Sequence, residues 1–189
     1  MRALRTIRLA IPMALACGLL MAATPATAQD VMSKEAAAAV KAAYLADLEA
    51  MRVKFVGLAE AFPQDKYSFR PMDGVRSAAE VFMLIATEGY GYAPTAVGGK
   101  AAMSRDEMGP LRNITDKAQV IDHLNKGFAH AKKEIEAIDP ATLTGKRKMG
   151  PAERNAAELV IAVTGDMHEH LGQMIAYARM NRIVPPWSK

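Results

Sequence analysis

The chain has 189 residues, 51% of them hydrophobic and 23% charged, which suits one globular domain with a full core and argues against two. Aromatic residues make up only 6% while Ala and Met are abundant, a composition that favours helices over strands. The formal charge of +4 includes Arg2, Arg5 and Arg8; without them 21 basic residues face 20 acidic ones, so there is no electrostatic case for a nucleic-acid partner.

Those three arginines open a segment with the features of a secretory signal peptide, residues 1–28. They form a basic n-region, residues 9–23 (LAIPMALACGLLMAA) form the apolar stretch, and Ala26-Thr27-Ala28 is a small-x-small cleavage site. The mature domain is then 29–189, in the periplasm or secreted. The apolar run is short for a membrane span and is followed by polar residues, so no stable anchor is expected after cleavage. Cys17 lies within this segment, and Ala14 stands where a lipoprotein box usually has Leu. The mature chain therefore has no cysteine, which fits export without disulfides and rules out thiolate ligands and cysteine nucleophiles.

Four long helical patterns follow, with no series of strands. Ser33 is positioned to cap a first helix over about Lys34–Ala61, with Val40, Tyr44, Leu48, Met51, Phe55 and Leu58 on one face and Pro63 as its stop. The segment 63–76 reads as a structured loop in which Arg70 and Arg76 bond to carbonyls or acids. Ser77 and Glu80 form a capping box for a second helix over about Ala78–Tyr90. Residues 91–113, broken by Pro94, Gly98, Gly99, Gly109 and Pro110, read as a long loop. A box from Asp116 to Gln119 opens a third helix to about Ile138, ended by Asp139-Pro140. Residues 144–151 read as a basic, solvated loop. Asn155 and Glu158 cap a fourth helix to about Asn181, and the tail from Ile183 cannot be helical through its Pro pair. Four such helices with one long connection predict an all-α fold, a four-helix bundle.

The stretch DMHEHLGQ, residues 166–173, holds the chemistry-bearing cluster. Asp166 and His170 lie four apart and share a helix face with Leu159, Val163, Gln173 and Tyr177. Two ligands at that spacing can converge on one divalent ion such as Zn, Ni, Mn or Fe, provided another helix supplies a third. The same pair also suits an inward ion pair in a bundle, and the pattern alone favours that reading. His168 points to the opposite flank. His123 and His130, seven apart on the third helix, read as boundary residues, and Met83, Met167 and Met174 as core filler. Trp187 is expected to pack the tail onto the bundle.

Two runs, YSFRPMDGVRSAAEVFMLIA (67–86) and HEHLGQMIAYARMNRIVPPWS (168–188), resemble the DinB-like (DinB/YfiT-like) superfamily, over roughly residues 35–188. That resemblance implies an up-down-down-up bundle, frequent dimers, and in many members a three-histidine metal site, with thiol transfer and a thiol-dependent isomerisation among the activities. Transferred residue by residue, one ligand is kept as His170, one becomes Asp166, and the one on the second helix becomes Leu84, which cannot bind a metal. Glu88, one turn later, offers a substitute carboxylate, although a solvated helix-end acid is the expected reading. The expected function is an exported bundle binding a small apolar ligand or a partner, with a degenerate metal site; a homodimer is in keeping with the family. The alternative is a divergent divalent-metal enzyme of hydrolase or transferase type built on Asp166 and His170.

Overall fold

The computed structural model describes residues 32–149 and 151–188. The signal segment 1–28 and the mature start at Gln29 lie outside the described residues. Four long helices carry the fold: α1 (Lys34–Ala61), α2 (Ala78–Tyr90), α5 (Lys117–Glu136) and α6 (Ala156–Met180). The short helices α3 (Tyr92–Ala96) and α4 (Arg105–Met108) lie between α2 and α5, and the strands β1 (Lys146–Met149) and β2 (Ala152–Asn155) precede α6. The fold is all-α, a four-helix bundle.

Polar contacts fix the helix directions. Lys41, near the start of α1, donates to the carbonyls of Glu136 and Ile138 at the end of α5, at 2.7 and 2.6 Å. Lys117, at the start of α5, donates to Glu60 and Phe62 at the end of α1, at 2.7 and 2.8 Å. The two helices are antiparallel, and each lysine satisfies carbonyls that a helix end leaves orphaned. Pro186, just past the end of α6, rests against Gly57 near the end of α1, so these two helices are parallel, while Tyr177 near the end of α6 reaches Arg76 just before α2, so those two are antiparallel. Helices α1 and α6 thus run one way and α2 and α5 the other, the up-down-down-up order.

Local sequence sets the ends. Ser33 caps α1, and reciprocal capping boxes join Ser77 to Glu80 and Asn155 to Glu158. At α5 the Asp116 carboxylate accepts from the Gln119 amide, with a one-way cap in place of the expected box. Arg70 pairs with Glu80 and bonds the Val75 carbonyl, holding the loop before α2 as expected.

Two stretches differ from the sequence expectation. Residues 91–113 contain α3, α4 and a 3₁₀ turn at Pro110–Asn113 in place of an irregular loop. A Ser104–Glu107 capping box starts α4, and the buried Tyr44 hydroxyl donates to the Ala93 carbonyl at 2.9 Å, holding α3 against α1. Lys146–Met149 and Ala152–Asn155 pair as antiparallel strands where a loop was expected. Arg147 is only partly solvated: the side chain is half-buried, donates to the Thr142 carbonyl, and occupies the space a Cβ would need at Gly98, where φ is +91°. In the tail, Pro186 rests against Gly57 of α1, whereas Trp187 keeps 41% of its surface exposed. Met83, Met167 and Met174 are buried in the core. No helix among the described residues is long and apolar enough to cross a membrane.

Helices α2 and α5 touch backbone to backbone. A Cβ added at Gly89 would lie 2.5 Å from the Gly127 carbonyl carbon, and one added at Gly127 would collide with the Ala86 carbonyl oxygen. Gly127→Ala should therefore cost about 1–3 kcal/mol through overpacking. Gly165→Ala, in open space on α6, should instead gain up to about 1 kcal/mol from helix propensity. Urea denaturation of both variants checks the contrast; equal effects would mean that the α2–α5 contact is looser than described.

Candidate metal centre

Helix α2 carries the first part of the site. Eleven of its thirteen residues are buried, leaving only Glu80 and Leu84 partly open. Glu88 is among the buried ones, with 8% of its surface accessible. This corrects the expectation of a solvated helix-end acid. The close approach at Gly89 draws the end of α2 into the bundle, and α3 follows at once and closes over it.

Helix α6 supplies the rest. One turn apart, Asp166 and His170 face α2, with Asp166 Oδ1 3.9 Å from His170 Nε2. Ligand atoms of Glu88, Asp166 and His170 all lie within 4.8 Å of one another. The predicted pair is thus brought together, and Glu88 joins it from the other helix. Leu84 lines the same cavity as Glu88, consistent with the spacing of one turn. His168 is drawn away, its Nε2 2.9 Å from Asp47 Oδ1. His123 pairs with the Tyr90 hydroxyl and His130 with the Lys100 carbonyl, so neither reaches the site.

The imidazole of His170 is oriented by a chain of hydrogen bonds. The Tyr177 hydroxyl donates its single proton to the Arg76 carbonyl at 3.0 Å. It can then only accept from Gln173, whose amide nitrogen lies 2.9 Å away. That turns the Gln173 oxygen toward His170 Nδ1, also at 2.9 Å, and makes Nδ1–H the donor. The lone pair of the neutral ring is left on Nε2, the atom that faces Asp166. Gln173 and Tyr177 fall on the Asp166–His170 stripe in the sequence, but nothing there assigned them this role.

Two carboxyl groups share this space, and their protonation follows. The Glu88 carboxyl is pushed up from 4.5 to about 9. Burial is the largest cause; Asp166 adds to it by accepting a hydrogen bond from the protonated acid and by repelling the ionised one, while Arg76 acts in the opposite sense. The Tyr92 phenol beside the site is also raised, first by burial and then by Asp166 and Glu88. Glu88 Oε2 is buried with no hydrogen-bond partner. A carboxylate oxygen in that position calls for a proton or a cation. Two carboxylates and one imidazole nitrogen suit a divalent ion, so the residues fit a metal.

A cavity of about 700 Å³ borders Glu88 and Leu84, between α2 and the 101–112 segment. Thr87, Tyr92 and Met108 contribute to its wall, as do Arg105 and Arg112. Its size lies within the range of pockets for small molecules, about 300–1,000 Å³.

Among known proteins, the family model of the DinB superfamily matches residues 47–174, which takes in Glu88, Asp166 and His170. No curated protein matches the chain.

Two measurements follow. Tyr177→Phe keeps the ring but breaks the chain that orients His170, and should weaken divalent-ion binding by roughly 10- to 100-fold in a competition titration. An unchanged affinity would show that the chain does not control the imidazole. In the metal-free protein, native Glu88 keeps a proton that the unfolded chain releases above pH 4.5. Its contribution to stability is full below that value and is lost as pH rises toward about 9, with a slope of up to about 1.4 kcal/mol per pH unit. Urea melts at pH 6 and pH 9 should show this fall in the parent protein and a flatter profile in Glu88→Gln.

Proposed function

The chain belongs to the DinB superfamily, and from that premise we propose that it is a divalent-metal protein whose Glu88, Asp166 and His170 hold one ion beside a small-molecule cavity. The observation that carries this reading is the buried, unpartnered oxygen of Glu88 within reach of Asp166 and His170. Leu84 removes the family's usual third ligand, and Glu88, one turn further along α2, takes its place. The oxygen-rich set suits manganese, iron or zinc better than it suits nickel.

An ion held there supplies Lewis acidity for chemistry of the hydrolase or transferase type. The chain's own groups do the rest. Gln173 and Tyr177 keep the Nε2 lone pair of His170 directed at the site. Tyr92, on the cavity wall, presents a protonated phenol as a hydrogen-bond donor. Leu84, Met103 and Met108 give the cavity an apolar side that excludes water from part of a bound molecule. The features of residues 1–28 support export, so the site would work in the periplasm or outside the cell. There low-molecular-weight thiols are scarce, which speaks against the family's thiol chemistry. A homodimer, as is common in the family, is part of the same proposal.

A second reading keeps the bundle metal-free, with a small apolar ligand in the cavity; Leu84 at a ligand position favours it. Elemental analysis of untagged protein, residues 29–189, after loading with manganese, iron, nickel or zinc separates the two. About one ion per chain is expected, lost in an Asp166→Ala, His170→Ala double variant and weakened in Glu88→Gln. Binding should also stabilise the fold by about 2.7 kcal/mol at a free-ion concentration 100 times Kd. If none of the four ions binds, the metal reading fails, and mass spectrometry of a co-purified organic molecule tests the second one.

A further inference from the structure

We infer that the cavity takes a small organic oxyanion, a carboxylate or phosphate on an apolar body, with Arg105 and Arg112 holding its charged end. This deepens the proposal above and rests on it for the ion at the opposite side of the cavity.

The distribution of paired and unpaired charge points this way. Arg105 opens α4 and Arg112 sits in the turn at Pro110–Asn113, and both border the cavity across from Leu84 and Glu88 of α2. Neither forms an ion pair with any described residue, whereas Arg70 nearby is committed to Glu80. A second, smaller cavity of about 450 Å³ adjoins the first and shares Leu84 and Arg112 with it. Its wall adds Arg76, which also makes no ion pair among the described residues. Arg105 and Arg112 thus line the first cavity, and Arg112 and Arg76 the second, as exposed guanidinium groups without an acidic partner among the described residues, in a domain whose mature charge is close to neutral. Walls of low dielectric focus such a field inward and raise the local concentration of anions. Guanidinium groups present paired donors that match the oxygens of carboxylate and phosphate.

A cationic ligand is disfavoured at the same place. The acids that could receive it, Glu88 and Asp166, lie within 4.8 Å of each other and of His170 and are the groups the proposal above assigns to the ion. The same wall also carries Leu84, Met103 and Met108, which give it an apolar part. A ligand that satisfies the whole cavity is therefore anionic at one end and apolar in its body.

Phenylacetate, phenyl phosphate and the neutral phenylacetamide, titrated calorimetrically into untagged protein 29–189 with and without manganese, test this. At least one of the two anions should bind, and phenylacetamide roughly tenfold more weakly or worse. The relative affinities of phenylacetate and phenyl phosphate decide between carboxylate and phosphate. The double variant Arg105→Ala, Arg112→Ala should lose about tenfold or more in anion affinity, with manganese stoichiometry unchanged. Arg105→Lys, Arg112→Lys should recover part of that loss, since charge is restored without the paired donors. Binding of the amide as tight as that of the anions, equal anion affinity in the alanine variant, or no anion binding at all would overturn the inference. Arginine-dependent anion binding by a protein that takes up no metal would sink the metal proposal alone. Manganese uptake without arginine-dependent anion binding would sink this inference alone.

Discussion

The backbone contact between Gly89 and Gly127 sets how deep α2 lies in the bundle, and the site depends on that depth. A helix only 13 residues long gains little from propensity in isolation, so its stability comes from packing. Two glycines that let main chain meet main chain allow α2 to bury nearly all its side chains. Glu88 precedes Gly89 and is carried inward with it. Had either glycine been a larger residue, α2 would stand further from α5 and Glu88 would keep its water. The acid is buried by packing elsewhere on the same helix, and its altered protonation follows from that burial.

The loop before α2 controls the other half of the site. Arg76 lies one residue before the Ser77 cap, and its carbonyl ends the hydrogen-bond chain through Tyr177 and Gln173 to His170. One segment therefore fixes where α2 begins and which nitrogen of His170 is free. Ten residues separate Ala78 from Glu88, about 15 Å along a helix. Helix α6 runs back against α2, so its Tyr177 meets the start of α2 while Asp166 and His170 meet its end. The antiparallel pairing brings Glu88, Asp166 and His170 to one point although 78 residues separate Glu88 from Asp166 in the chain.

What the sequence discloses divides along the range of the interactions. Helix starts were legible because caps are local: Ser33, Ser77 and Asn155 bond to amides three residues away. The Asp166–His170 pair was legible because a helical turn puts the two on one face. Glu88 was legible as a carboxylate one turn from Leu84, but its burial was not, because that depends on Gly127, 39 residues later. Helices α3 and α4, five and four residues long, are too short for a 3.6-residue period to show. The strand pair was hidden for another reason. Its strand Lys146–Met149 is charged at three successive positions and lacks the apolar alternation of a half-buried strand. Pairing with Ala152–Asn155 and the anchoring of Arg147 beside Gly98 make it a strand.

A site with two carboxylates and one imidazole differs in charge balance from one built of imidazoles alone. Three neutral imidazoles around a divalent ion leave two positive charges, which favours an anionic group bound directly to the metal. Glu88 and Asp166, once ionised, cancel that charge within the protein, and the ion no longer needs an external anion for neutrality. In a site of low dielectric such cancellation weighs heavily, because the field of an uncompensated charge is poorly screened. The attraction for an anionic ligand then has to come from elsewhere in the cavity. Arg105 and Arg112 on the facing segment, with Arg76 in the adjoining cavity, are the uncommitted positive groups placed to supply it. With Leu84 in the wall and two carboxylates beside it, the positive charge available to an anionic ligand lies at Arg105 and Arg112 on the facing segment.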